Sequence, residues 1–303
     1  MNRDTQFCDI CSLEYSKSNR SNHVQTYKHK LAAQEQRMEK NIEINYKEDT
    51  NNKYILKEKF RPNIIALMNG EFIKVIEKND EYFFQIDGVD KPYKEIHTEK
   101  YQIEPLPLNN LERTVVYIIG RSGSGKSYFC RDFIIKWKEM NPYNDVYIVS
   151  REDNDEAFKN LNAYKINNNN FAEGTVTMDE IDEGSLVVMD DIDSIINDNN
   201  IIPNIIKLRD EIMESGRKRK ISLLVTSHRP IKGKETQLLL NEANYIVLFP
   251  QGMTSLDKFL YVKLDMMKEQ VRKVCGLKTR YVIIHNGAPQ WILGKHDLYF
   301  LKG

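Results

Sequence analysis

The chain has 303 residues, 41% hydrophobic and 29% charged, with 44 Lys and Arg balanced by 44 Asp and Glu. That length suits one large domain plus a smaller appendage, and the zero net charge excludes a uniformly basic nucleic-acid coat or an acidic tail protein. Its longest apolar runs fall far short of the ~20 residues that a bilayer crossing requires, and with no apolar h-region in its first residues the expectation is a non-secreted protein.

Residues 1–35 stand apart. Of four cysteines in the chain (Cys8, Cys11, Cys130, Cys275), two sit three positions apart, with His23 and His29 further on. The spacing Cys8-x₂-Cys11-x₁₁-His23-x₅-His29 lies within one residue of the C2H2 pattern. Two thiolates on a hairpin knuckle and two imidazoles on a following helix would close a tetrahedron around Zn²⁺. In a segment with almost no core, the metal would hold the fold. The segment resembles matrin-type zinc fingers, and Lys17, Arg20, Lys28 and Lys30 give it a positive face suited to nucleic acid. A protein contact and a chance spacing in a disordered tail are the competing accounts. Residues 36–59 read as a charged linker opened by a short helix.

Residues 60–110 change to short β-like runs at 63–68, 72–76 and 82–86, separated by Asn-Gly, Asn-Asp and Asp-Gly turn signals. They predict a small β-rich segment of no legible chemistry. From 111 to 303 strands and helices alternate. Strands are expected at 114–119, 145–150, 185–189, 221–226 and 245–249. Helical spacing covers 126–140, 203–215 (proline in the first turn, Gly216 as the stop) and 256–275. A terminal hairpin is expected at 281–285 and 290–293, and the Asn run 167–170 reads as a surface loop. This order predicts an α/β fold whose central, mostly parallel sheet is covered by helices on both faces.

Gly120-Arg121-Ser122-Gly123-Ser124-Gly125-Lys126-Ser127 satisfies G-x-x-x-x-G-K-[ST], followed by Tyr128, with an apolar strand before it and an amphipathic helix after it. Glycines let successive N–H groups turn inward at phosphate oxygens, and the helix N-terminus adds partial positive charge. Residues 120–128 are therefore expected to bind ATP, Lys126 reaching the β- and γ-phosphates and Ser127 ligating Mg²⁺. The buried strand 185–189 ends in Asp190 and Asp191. Asp190 is expected to order the Mg²⁺ shell and Asp191 to polarise the attacking water, with Asp193 as a weaker alternative. The strand 221–226 runs into Ser227 and His228, candidates for a γ-phosphate sensor. Arg217 leads four consecutive cations (217–220) at a helix C-terminus. They either complement the helix dipole or offer an arginine finger to ATP on a neighbouring subunit.

The order of these segments resembles the DNA-packaging ATPases of large double-stranded DNA viruses and virophages, the poxvirus-like branch of the FtsK–HerA P-loop translocases. The resemblance covers about residues 111–303. It rests on the 120–127 loop, the Asp190-Asp191 pair, the Gly216-Arg217 to Ile221-Ser222 segment and Thr226-Ser227-His228. Residues 246–250, Cys275-Gly276-Leu277 and a final strand begun by Arg280 add to it. Lys218 stands where the family tends to have histidine, and His228 where it often has glutamine. Membership implies a homo-oligomeric ring, hexameric or pentameric, that hydrolyses ATP to thread double-stranded DNA into a preformed capsid. Capsid or portal-vertex proteins would be its partners, in the host cytoplasm, a viral factory or the virion. The alternative is a P-loop switch or adaptor tethered to nucleic acid by its zinc finger.

Overall fold

The computed structural model describes residues 63–107, 113–151, 155–172, 176–192, 201–228, 233–253 and 256–301, with the backbone of 5–7 and 14–16. Cys8, Cys11, His23, His29, the 36–59 linker and Asp193 lie outside them. Two short strands, β1 (Thr5–Phe7) and β2 (Glu14–Ser16), pair antiparallel, Gln6 opposite Tyr15.

Four strands follow as a small antiparallel sheet: β3 (Ile64–Met68), β4 (Glu71–Lys78), β5 (Glu81–Ile86) and β7 (Ile103–Pro105), in the order β5-β4-β3-β7. Asn69-Gly70 and Asn79-Asp80 take positive φ at its two hairpin turns, which explains why the turn signals fall there. Between β5 and β7, β6 (Glu95–His97) leaves this sheet for the main one.

The main sheet has ten strands. In sequence they are β6, β8 (Val115–Ile119), β9 (Val146–Ser150), β10 (Tyr164–Lys165), β11 (Leu186–Asp190), β12 (Ser222–Ser227), β13 (Tyr245–Leu248), β14 (Val282–His285), β15 (Trp291–Leu293) and β16 (Asp297–Phe300). Their spatial order is β10-β9-β11-β12-β8-β13-β14-β15-β16-β6. The run β10 to β13 is parallel and the rest antiparallel.

Alternation along the strands divides the core in two. Val115, Tyr117 and Ile119 of β8 face one cluster, and Val116 and Ile118 face the other. The first face is covered by α3 (Ile201–Ser215), α4 (Gly233–Glu242), α5 (Leu256–Lys263) and α6 (Lys268–Gly276). The second is covered by α1 (Lys126–Met140), through Phe129, Phe133, Ile134 and Trp137, and by the small sheet, through Ile65, Ile73 and Phe84. Phe84 stacks on Phe300 with ring centroids 4.0 Å apart. Residues 63–107 thus share the covering of this face with α1.

Three expectations are corrected. The helical stretch 256–275 is two helices, broken at 264–267, where Asp265 takes φ 49°. The Asn run contributes to a short helix, α2 (Asn168–Ala172), anchored by fully buried Phe171 and by the Asn204 side-chain amide, which donates to the Phe171 carbonyl at 2.7 Å. The hairpin β14–β15 is followed by a further strand, β16. No helix among the described residues is long and apolar enough to cross a membrane.

Candidate nucleotide-binding site

The site forms at the C-terminal edge of the parallel strands, where the loop 120–125 joins β8 to α1. Gly120 has no room for a side chain: a Cβ there would lie 2.7 Å from both Phe249 Cβ and Ser124 Oγ. Gly125 caps α1 at φ 104°, a left-handed conformation that L side chains rarely adopt. The loop is tied to β12, since the Gly120 N–H donates to the Ser227 carbonyl at 3.1 Å.

Strand alternation aims the polar groups. On β11, Leu186 and Val188 face the α1 side, so Asp190 does too; on β12, Leu224 and then Thr226 do the same. Ser127, in the first turn of α1, meets them there. Its Oγ donates to Asp190 Oδ2 at 2.8 Å, and Thr226 Oγ1 donates to Asp190 Oδ1 at 2.8 Å. The Thr226 hydroxyl also accepts from the Asp191 N–H at 2.8 Å. Asp191 sits at φ 53°, an uncommon backbone conformation for a non-glycine residue.

Lys126, though buried, donates from Nζ to the Gly120 and Arg121 carbonyls at 3.0 and 3.2 Å and to His228 Nδ1 at 3.2 Å. That leaves His228 Nε2 to donate to Asp191 Oδ1. Lys126, Ser127, Asp190, Asp191 and His228 therefore form one connected network.

Burial pushes the Asp190 carboxyl above the usual carboxylate range. The Ser127 and Thr226 hydroxyls pull it back, while the charges of Asp155 and Asp191 push it further up. A buried carboxylate beside two other acids and two hydroxyls is an oxygen-rich site short of positive charge. This chemistry fits Mg²⁺, which takes one or two carboxylates together with a hydroxyl and phosphate oxygens. Cys130, fully buried just below, has its thiol held well up by desolvation and is an unreactive part of the core.

Arg217 is placed differently. It lies exposed in the turn 216–220 that precedes β12, at the opposite edge of the sheet from the loop. The six residues of β12 put it ~20 Å from its own Lys126. The C-terminal carbonyls of α3 are served by another cation: Arg113 donates to the Ile212 and Met213 carbonyls. Arg219 is engaged by the 178–181 turn, donating to the Met178 and Ile181 carbonyls and to Asp179. Tyr128 is half exposed on the first turn of α1, and Arg121, Ser122 and Gly123 lie exposed along the loop.

Two residues to which the sequence assigns no role of their own stand at the site. Thr226 belongs to the strand end and to the Thr226-Ser227-His228 segment of the resemblance, and a polar residue closing an apolar strand beside an acidic strand end is a usable signal for its part in the site. Arg280, which the sequence marks only as the start of the final strand, enters from far along the chain. Its Nε donates to the Ser124 carbonyl at 3.1 Å.

No family model matches the chain. Uncharacterized protein V3 of Sputnik virophage is 31% identical over 207 residues, 67% of this chain and 83% of that protein. The chain belongs to the family of virophage protein V3. Solved structures similar to it include the genome packaging NTPase B204 from Sulfolobus turreted icosahedral virus 2 in complex with ATP-gammaS, at TM-score 0.45 and 15% identity, covering 61% of this chain and 98% of that one. Another is the pCW3 conjugation coupling protein TcpA with ATPgS, at TM-score 0.43 and 13% identity, covering 79% and 78%.

Proposed function

We propose that this virophage V3-family chain is an ATP-hydrolysing DNA translocase that packages a double-stranded genome into a capsid. The observation that supports it is the network at the strand ends, where Lys126, the Ser127–Asp190 pair and the second carboxylate, Asp191, meet within one chain. The second carboxylate matters most, because a hydrolase must activate water whereas a kinase positions another acceptor. The order of the motifs, resembling packaging ATPases, supports the same reading.

In this scheme Lys126 exchanges the Gly120 and Arg121 carbonyls for the β- and γ-phosphate oxygens. Ser127 and Asp190 would hold Mg²⁺, which screens the phosphate charge when bound. Asp191 accepts a proton from, or orients, the attacking water. His228, joined to both Lys126 and Asp191, registers whether a γ-phosphate is present. Arg217 completes the site of a neighbouring subunit in a ring, being too far from its own loop to serve it. The finger at 1–35 would bind Zn²⁺ through Cys8, Cys11, His23 and His29 and engage nucleic acid, and capsid or portal-vertex proteins would dock the ring.

The test is ATP turnover by the full chain with and without duplex DNA. A translocase is expected to be stimulated several-fold by DNA, with Lys126→Ala losing nucleotide binding and Asp191→Asn keeping it while losing hydrolysis. Turnover indifferent to DNA favours the switch or adaptor and rejects the translocase.

A further inference from the structure

The loop 120–127 carries more positive charge than Lys126 alone. Arg280, just before β14, reaches back across 156 positions to donate its Nε to the Ser124 carbonyl. Its guanidinium then lies against Gly125, where a Cβ on that residue would collide with Nη2. The missing Cβ at 125 thus serves a close approach as well as a backbone angle.

This is an unfavourable place for a cation. Gly125 is the N-cap of the 15-residue α1, whose N-terminus is the positive end of its dipole, and α1 has no acidic residue in its first turn. Arg280 is exposed, and no ion pair within the described residues compensates it. Together with Arg121, Ser122, Gly123, Ser124, Phe249 and Gln251 it lines a cavity of about 300 Å³ at the mouth of the loop. Arg121 packs over Gly252 on the far wall. Two exposed arginines and the loop residues Ser122, Gly123 and Ser124 line one cavity beside the start of α1, and among the residues lining it there is no acid. That concentration of positive charge suits an anion.

We infer that Arg280 is a nucleotide-binding residue acting in cis, which holds phosphate oxygens of the ATP cradled by its own loop. This rests on the nucleotide-binding reading of that loop. The Ser124 bond orients the guanidinium, and the Nη groups supply the charge. Arg280 and Arg217 then have opposite logic, since one serves its own subunit's nucleotide and the other serves a neighbour's.

The experiment is calorimetric titration of the full chain with ATPγS, which reads binding without hydrolysis. Loss of a charge-assisted hydrogen bond predicts that Arg280→Ala binds about 10- to 100-fold more weakly. Arg280→Lys, which restores the charge but not the Nε bond, is expected to recover most of that loss. Native affinity in Arg280→Ala overturns the inference. So does equal weakening of the Ala and Lys variants, which would make Arg280 a brace for the Ser124 backbone. Mixing Arg280→Ala chains with Lys126→Ala chains is expected to restore no turnover, and recovery there would exclude action in cis. A wild-type chain that fails to bind ATPγS removes the loop reading itself, a result distinct from a wild type that binds and an alanine variant that binds equally well.

Discussion

Thr226→Val tests whether the acidic pair is held by a single hydroxyl. Valine has nearly the shape of threonine, and position 226 is only 1% exposed, so the change deletes one oxygen and leaves the packing. Two bonds go with it: the donation to Asp190 Oδ1 and the acceptance from the Asp191 N–H, both 2.8 Å. A hydrogen bond to a carboxylate contributes ~1.5–3 kcal/mol, and a partly buried N–H left without an acceptor costs ~1 kcal/mol at the low end of its range. The expected destabilisation is therefore about 2.5–4 kcal/mol, read as a lower midpoint in urea with an unchanged slope. The kinetic effect follows from Asp191, whose left-handed backbone loses its tether. A displacement of order 1 Å at a catalytic group can cost ~10² in rate. Single-turnover hydrolysis at saturating ATP and Mg²⁺ is expected to slow by about that factor, with ATP affinity little changed because Lys126 and the loop are untouched. Thr226→Ser, which keeps the oxygen, is expected to stay close to wild type. A valine variant that hydrolyses ATP within about threefold of wild type would refute the reasoning.

Asp190→Asn is expected to abolish turnover yet stabilise the nucleotide-free chain. The Asp190 carboxyl is raised in the folded state, so the folded chain binds its proton more tightly, and the stability this gives is lost as pH rises from the ordinary carboxylate range through the raised value. Thermal melts across that window should fall with pH in the wild type more steeply than in Asp190→Asn, and identical slopes would count against a strained carboxylate. For Arg217, mixing Arg217→Ala chains with Lys126→Ala chains is expected to restore turnover that neither has alone, loss of a finger costing ~10³–10⁵; no rescue at any ratio, in rings shown to hold both chains, would reduce Arg217 to a surface cation. For the finger, metal analysis is expected to find about one zinc per chain, released by Cys8→Ser with Cys11→Ser. A zinc-free wild type would remove that site.

The local parts of the site were legible because they are written contiguously. The loop 120–127 and its helix are one segment, and the strand ending in Asp190-Asp191 is another, each with its own periodicity. What could not be read was the pairing between segments. That β12 lies between β8 and β11, bringing Thr226 to Asp190 and His228 to Lys126, follows from strand order, which no local pattern encodes. The approach of Arg280 to the loop is hidden for the same reason. The covering role of residues 63–107 was hidden because their alternation describes a half-buried sheet without saying what it rests on. The break at 264–267 was missed because apolar residues on both sides keep helical spacing through it.

The seam between β6 and β16 has a consequence for how the protein comes into being. Residues 95–97 leave the ribosome about two hundred residues ahead of their partners at 297–299. β8, which leads into the loop at 120–127, is likewise flanked in the sheet by β12 and β13, more than a hundred positions downstream. A nascent chain carrying the complete phosphate-binding motif therefore has no cradle, and nucleotide cannot act as an early folding template. Such long-range closure is slow and leaves strand edges exposed while synthesis continues. Chains halted before β12 should accordingly be unable to retain ATP and should be prone to aggregate, so nucleotide capture waits for strands made about a hundred residues after the motif itself.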